Sequence, residues 1–311
     1  MIPRARNDPM RLPLRSPAKP MIAAILVSCK RRKTSPGMLL RSAGPTLEGF
    51  SVPNADRPSC HDYRVSHQAV DAGIHYDKTF DAGYCAALWQ KIEKPLLESI
   101  LHPLGGRERT SLDFACGTGR ITRVTAMFFG TVVGIDVSEA MLMCAPVPEN
   151  VTLYCIDITK VSLAETFDVV TAFRFFLNAE DSLRREALRA IYRRLREGGV
   201  LVCNIHLNAT SPMGLASHVL NWVYPRIPRN TLTPDQFSSV LKEEGFEIVD
   251  TKSYGYLPRP GPFFPRLCEL LVEPFETACK ALKVPGWLAE NFIIVSQKRS
   301  NPGKETPRHP L

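Results

Sequence analysis

The chain has 311 residues, 44% hydrophobic and 23% charged, enough to bury one large α/β core or two small ones. Its formal net charge of +8 is local: residues 1–50 hold ten basic and two acidic side chains, while residues 51–311 balance at 29 and 29. That balance excludes a charge-driven nucleic-acid footprint on the folded part, so no nucleic-acid partner is expected.

Residues 1–60 read as a disordered, basic, Pro-rich leader. The apolar run at 21–29 (MIAAILVSC) is too short for a membrane span, which needs roughly 18 residues, so no stable membrane insertion is expected. A signal or organelle-targeting peptide is the alternative for this segment; the disordered leader is preferred, with a cytoplasmic protein behind it. The nine cysteines form no CxxC pair and several sit in apolar runs, as Cys155 and Cys203 do. They are expected to be reduced and buried, with no metal site.

A folded domain is expected over 61–299, with a disordered tail at 300–311. Residues 77–101 carry a helical pattern (Leu88, Ile92, Leu96, Leu97, Ile100), with a kink at Pro95. Short apolar strands then follow at 111–115, 131–135, 151–155, 167–173 and 200–205, separated by helices at 120–129, 139–144 and 182–196. Thr233 caps a further helix that ends at Gly245, and the last strands fall at 246–249 and 292–295. Near-continuous apolar strands alternating with helices predict a doubly wound α/β fold with a mostly parallel seven-stranded sheet. Two insertions rich in Pro and aromatics, 207–230 and 257–291, leave the carboxyl ends of strands and are expected to form a substrate lid.

The sharpest feature is Leu112-Asp113-Phe114-Ala115-Cys116-Gly117-Thr118-Gly119-Arg120. An apolar strand ends in an acid, a Gly-rich turn follows, and a helix start presents free N–H groups. A dinucleotide fingerprint would place a third Gly where Thr122 stands, and has no need of Asp113. The second strand ends at Asp136, whose carboxylate can accept both hydroxyls of a ribose. Ser138 caps a helix containing Met141. The third strand ends at Asp157, which can meet an adenine amino group while Ile158 packs on the ring.

These residues resemble the motifs of class I S-adenosylmethionine-dependent methyltransferases. Leu112–Arg120 is similar to motif I, with Ala115 where the family more often has Gly; Gly134–Ser138 is similar to motif II, and Asp157 to the acid of motif III. The resemblance spans roughly residues 75–300 and implies a Rossmann-like methyltransferase fold with S-adenosyl-L-methionine as cofactor. It implies a binding set of Asp113, Ala115, Gly117, Gly119, Asp136, Val137, Met141, Asp157, Ile158 and Phe173. Within it, Asp113 would orient the methionine amino group, Gly117 and Gly119 would floor the methionine and ribose, Asp136 would hold the ribose, and Asp157 with Ile158 would frame the adenine. Phe173 and Arg174 would lie near the sulfonium.

The expected reaction is in-line methyl transfer to a small organic acceptor on O, N or C. The Asn/Asp-Pro-Pro-aromatic, Pro-Cys and paired-Glu signatures of nucleic-acid and arginine methylation are all missing after strand four, where Phe173-Arg174-Phe175-Phe176 stands. Positioning can supply much of the rate, so a base is optional. His206 and Arg174 are the catalytic candidates: His206 as a proton acceptor, Arg174 as a holder of an acidic substrate or as a partner of Asp168 or Glu180. His67, His75 and Tyr76 form a second group near the first helix. The competing readings are a nicotinamide-dependent oxidoreductase, a non-catalytic S-adenosylmethionine-binding module and an aminopropyl transferase. The sequence leaves the oligomeric state open.

Overall fold

The computed structural model describes residues 72–161, 163–223, 231–258 and 264–299. The expected leader (1–60), the tail (300–311), His67 and parts of both insertions lie outside these residues.

The helical pattern at 77–101 folds as several pieces: α1 (Ala72–Lys78), α2 (Gly83–Leu88), a π-helical turn (Trp89–Glu93) and α3 (Lys94–Leu101). Pro95 explains the π turn. Its ring would collide with the Lys91 carbonyl in a regular helix and it offers no N–H, and widening the preceding turn relieves both problems.

Then come β1 (Gly106–Phe114), α4 (Arg120–Thr125), β2 (Phe129–Asp136), α5 (Glu139–Leu142), β3 (Val151–Cys155) and β4 (Phe167–Ala172). They are followed by α6 (Asp181–Arg194), β5 (Leu195–His206), α7 (Pro212–Val223), α8 (Pro234–Glu243), β6 (Phe246–Tyr254), α9 (Pro265–Ala281) and β7 (Asn291–Lys298). The strands form one sheet in the order β3-β2-β1-β4-β5-β7-β6. The first five pair in parallel, and β7 runs antiparallel between β5 and β6. The expected helix over 120–129 is shorter than its apolar pattern, because Phe129 already opens β2.

Alternation along the strands builds two cores. Leu112, Val133, Val170, Leu201 and Cys203 meet Leu188 and Ile191 of α6 and Phe237 and Leu241 of α8. On the other face Val132, Val169, Val202, Ile293 and Val295 meet Trp89, Leu97, Leu101, Ile121 and Val124. Both faces are covered, so the strands read as apolar runs rather than as alternating ones. Each fully buried large aliphatic side chain contributes about 1.5–3 kcal/mol.

Capping sets the helix starts. The Ser138 hydroxyl accepts from the Met141 N–H at 3.3 Å, and Thr233 with Gln236 forms a reciprocal capping box ahead of Pro234. The second insertion yields α9, whose Cys268 and Val272 bury against Tyr84 and Leu88 of α2, while Phe264, Leu267 and Leu270 face outward. Among the described residues no helix is long and apolar enough to cross a membrane.

Gly130 sits where β2 crosses close to β1, beside a register irregularity between Gly106 and Thr110. A Cβ there would overlap the Arg107 carbonyl, a backbone atom that cannot move aside alone. Gly130→Ala is therefore expected to cost about 3 kcal/mol or more, read as a lowered urea midpoint with an unchanged m-value.

Candidate active site

A cleft of about 300 Å³ opens at the carboxyl ends of β1, β2, β4 and β5, where open α/β sheets bind ligands. Its making begins with backbone. Ala115 (φ 55°), Gly117 (φ 55°) and Gly119 (φ 74°) all adopt the left-handed conformation between β1 and α4. The left-handed backbone explains why Gly is the commoner residue where Ala115 stands: an L side chain is strained there. Leaving β4 and β5, Arg174 (φ 60°) and Leu207 (φ 63°) are turned in the same way.

Asp113 ends β1 at 1% exposure. Its two carboxylate oxygens accept from the Thr122 hydroxyl at 2.6 Å and the Thr171 hydroxyl at 2.8 Å. Burial outweighs these bonds, and with the nearby Asp136 charge it pushes the Asp113 pKa up to about 6. Asp136 accepts from the Gly117 N–H (2.8 Å) with one oxygen and from the Ser138 N–H (2.8 Å) with the other, so the acid of β2 braces the Gly-rich turn of β1. Asp157 forms an Asx turn, accepting from the Thr159 N–H (2.9 Å) and hydroxyl (2.6 Å). All three acids line the cleft, as do Ala115, Gly117, Val137, Met141, Ile158, Phe173, Arg174 and His206. Gly119 does not line it; it caps α4, and a Cβ on it would press on Ala145 and Val147 at 3.3 Å. Its part is to make the turn rather than the floor.

The wall opposite comes from the amino-terminal helices. Tyr76, Thr79, Phe80 and Cys85 face the cleft, and Asp77 accepts from the Thr118 hydroxyl at 2.6 Å, tying α1 to the Gly-rich turn. The described residues of both insertions contribute nothing to the lining beyond His206 at their edge.

Arg174 pairs with neither Asp168 nor Glu180. Asp168 takes Arg196 at 2.6 Å, and Arg174 donates to Glu93 at 2.9 Å. The reason is reach: the left-handed turn after β4 directs Arg174 toward the π turn that carries Glu93. The Arg174 N–H donates to the Asn204 side chain at 2.7 Å and its carbonyl accepts from Asn178 at 3.0 Å, which holds the turn. Glu93 is fully buried. Burial alone would raise its pKa, but Arg174 and Arg120 outweigh that and hold it below the usual range. Arg120 lies with its guanidinium carbon 3.8 Å from the Phe80 ring centre and 4.2 Å from that of Trp89. Pattern reading overlooked Glu93, Arg120, Phe80 and Asn204. One signal was available for Glu93: an acid in the apolar series Trp89, Ile92, Leu96, Leu97. Among the described residues no three His, Cys, Asp or Glu side chains gather as metal ligands would.

Residues 112–203 match the methyltransferase domain family. The ubiquinone biosynthesis O-methyltransferase of Ruegeria pomeroyi is 32% identical over 163 residues, covering 47% of this chain and 63% of that protein. The chain thus spans less than two thirds of that relative's length. The malonyl-acyl-carrier-protein O-methyltransferase of Bacillus anthracis is 27% identical over 124 residues, 37% of this chain and 45% of that protein. Among solved structures, the magnesium protoporphyrin IX methyltransferase of Synechocystis PCC 6803 superposes with a TM-score of 0.52 at 14% identity, covering 76% of this chain and 100% of that one. The 4+2 cyclase SpnF superposes with a TM-score of 0.54 at 19% identity, over 78% and 98%. At these identities the superpositions show the fold.

Two outcomes are expected from this geometry. Ala115→Gly relieves the left-handed strain and should stabilise the protein by about 0.5–1 kcal/mol in urea titration. Thr171→Val removes a donor to a buried carboxylate and should cost about 1.5–3 kcal/mol at pH 7.5, and less at pH 5, where Asp113 holds its proton. The background works the same way: folding raises the Asp113 pKa, so its protonation favours the folded state below about 4, and that advantage is lost as pH rises through about 6.

Proposed function

We propose, from the premise that residues 112–203 are a methyltransferase domain of the class I S-adenosylmethionine-dependent kind, that this protein transfers a methyl group from S-adenosylmethionine to a small organic acceptor. The observation that carries it is the convergence of Asp113, Asp136 and Asp157, from the ends of three adjacent parallel strands, on one cleft beside a left-handed Gly-rich turn. The names of the relatives favour oxygen as the accepting atom.

The donor set suits the cofactor: carboxylates for an amino group, a ribose diol and an adenine amine, with Ile158 and Met141 as apolar neighbours of a purine. Gly117 has φ 55°, where an L side chain is strained, and a Cβ on it would press on the Met141 methyl at 3.1 Å, so Gly suits that cradle. When bound, S-adenosylmethionine supplies the electrophilic sulfonium methyl. The chain's residues do the rest by holding and screening. Asp113 orients the amino group once it is ionised. Asp136 holds the ribose against the turn it already braces. Phe173, Phe80 and Tyr76 keep water from the methyl's path, which matters because in-line geometry supplies most of such a rate. His206 ends β5 and lines the cleft, which supports reading it as the group that takes a proton from an acceptor hydroxyl.

A nicotinamide cofactor is disfavoured by Thr122: it is wholly buried and donates to Asp113 where the dinucleotide turn needs Gly against its helix. The reading as a binding module without turnover stands as the second reading, since the fold and a cofactor cleft do not by themselves specify a reaction. We assign the protein to the cytoplasm, where S-adenosylmethionine is made; the unpaired cysteines among the described residues suit a reducing compartment.

Calorimetric titration of the full chain with S-adenosylmethionine, S-adenosylhomocysteine and NADH tests the proposal. The first two should bind, NADH should not, and Asp136→Ala should weaken binding about tenfold or more. Ligand capture by ionised Asp113 adds a pH signature: affinity is level above about pH 6 and weakens as pH falls through that value. NADH binding alone overturns the proposal. Binding without turnover across an acceptor panel supports the module instead.

A further inference from the structure

The carboxyl edge of the sheet is divided by charge. The acids Asp113, Asp136 and Asp157 belong to β1, β2 and β3, one half of the strand order. The other half, β4 and β5, brings Arg174 and His206 to the cleft, with Asn204 beneath them. Arg120 joins this second group although its helix follows β1. Its guanidinium is drawn across to Phe80 and Trp89, and the Arg174 guanidinium carbon lies 5.0 Å from the centre of the same Phe80 ring.

Two guanidinium groups thus share one ring, and among the described residues Glu93 is the carboxylate paired to this group. Arg174 takes Glu93 in an ion pair, and Arg120, at 8% exposure, feels the same carboxylate without bonding to it, so two buried cations share one anion. Arg120 hydrogen-bonds to Tyr76, but its Nε and Nη1 have no hydrogen-bond partner among the described residues; nor does Arg174 Nε. Burial first, and then Arg174, press the Arg120 pKa below its usual value. A buried cation with idle donors is costly unless an anion meets it. A guanidinium fork matches a carboxylate, with two parallel N–H···O bonds.

We propose that Arg120 and Arg174, flanking Phe80, form a receptor for a carboxylate carried by the methyl acceptor, so that the substrate class is a small organic acid. This deepens the methyltransferase reading and rests on it for the identity of the acceptor. The acceptor is the source because Arg174 and His206 come from β4 and β5, whereas the three acids that suit the cofactor come from β1, β2 and the residues after β3; Arg120, which starts the helix after β1, stands between the two sides, and the test separates them. A second reason is charge. A sulfonium beside this group adds a third cation to a cluster that holds one carboxylate, and an acceptor anion between them reduces the repulsion.

The test uses the full chain with and without saturating S-adenosylhomocysteine, and measures ligand binding by NMR for matched probes: benzoate and benzamide, hexanoate and hexanamide, succinate and succinamide. At least one carboxylate should bind about tenfold tighter than its amide. Arg120→Gln should shrink that preference to about twofold, and Arg120→Lys should keep part of it, while affinities for S-adenosylhomocysteine and 5′-methylthioadenosine stay at the wild-type value. No carboxylate preference in the wild-type chain overturns the inference, and this arm needs no variant to fold. Loss of S-adenosylhomocysteine but not methylthioadenosine in Arg120→Gln also overturns it, by giving the site to the cofactor's own carboxylate. Failure of S-adenosylhomocysteine to bind while a carboxylate preference persists would instead remove the methyltransferase reading and leave the receptor standing.

Discussion

A carboxylate buried at the end of β1 organises this molecule. Asp113 is almost sealed from solvent, so its charge must be met by donors from the protein, and the two that meet it come from different elements: Thr122 from α4 and Thr171 from β4. The bonds lock the helix after the turn, the first strand and its neighbour into one register. They are only partly compensating, which leaves the carboxyl titrating near 6 and thus responsive to a ligand that offers a cation. Asp136 repeats the logic one strand away, spending both oxygens on the backbone of the turn and of α5. The acids that suit a cofactor are also the braces of the loop that would carry it.

The other half of the sheet edge holds a second polar assembly. Glu93, Arg174, Asn204 and Tyr254 are linked in sequence: Arg174 to Glu93, Asn204 to both Glu93 and the Tyr254 hydroxyl. A buried network of this kind specifies one arrangement of the strand ends, and the Arg174 Nε is the donor it leaves over. The π turn belongs to it. Pro95 forces the helix to widen, and the widened turn presents Glu93 inward, where a regular helix would have rotated it differently. A local steric event in the amino-terminal helices thereby fixes the carboxylate that meets Arg174 at the cleft.

The amino-terminal helices have two structural duties. They cover one sheet face through Trp89, Leu97 and Leu101, and they wall the cleft through Tyr76 and Phe80, with Asp77 latched to Thr118. In turn α9, expected as a lid on the basis of its aromatics, rests on α2 through Cys268 and Val272. The described part of that insertion thus buttresses the wall of the cleft from behind. The fold that results is shared with a methyltransferase and with a cyclase, so the chemistry depends on these side chains and not on the sheet.

The sequence by itself determined the sheet, the turn and the acids. Apolar runs of four to six residues between helical stretches announce a parallel sheet because both faces are buried, and Asp113, Gly117, Gly119 and Asp136 announce the site because their spacing is set by local strand, turn and helix geometry. The departure at Ala115 was visible as well, and only the structure shows that the backbone there is left-handed, the conformation that favours Gly. Tertiary structure alone decided the partners. Glu93 and Arg174 are 81 positions apart, and Arg120 reaches Phe80 across the cleft; nothing in their spacing could join them, because these contacts depend on how the amino-terminal helices dock on the sheet. The same holds for the Thr122 and Thr171 hydroxyls on Asp113, and for Gly119, which pattern put in the floor and packing put behind it. Periodicity records which residues are buried along one element, whereas charge pairing across elements is settled only when the chain has folded.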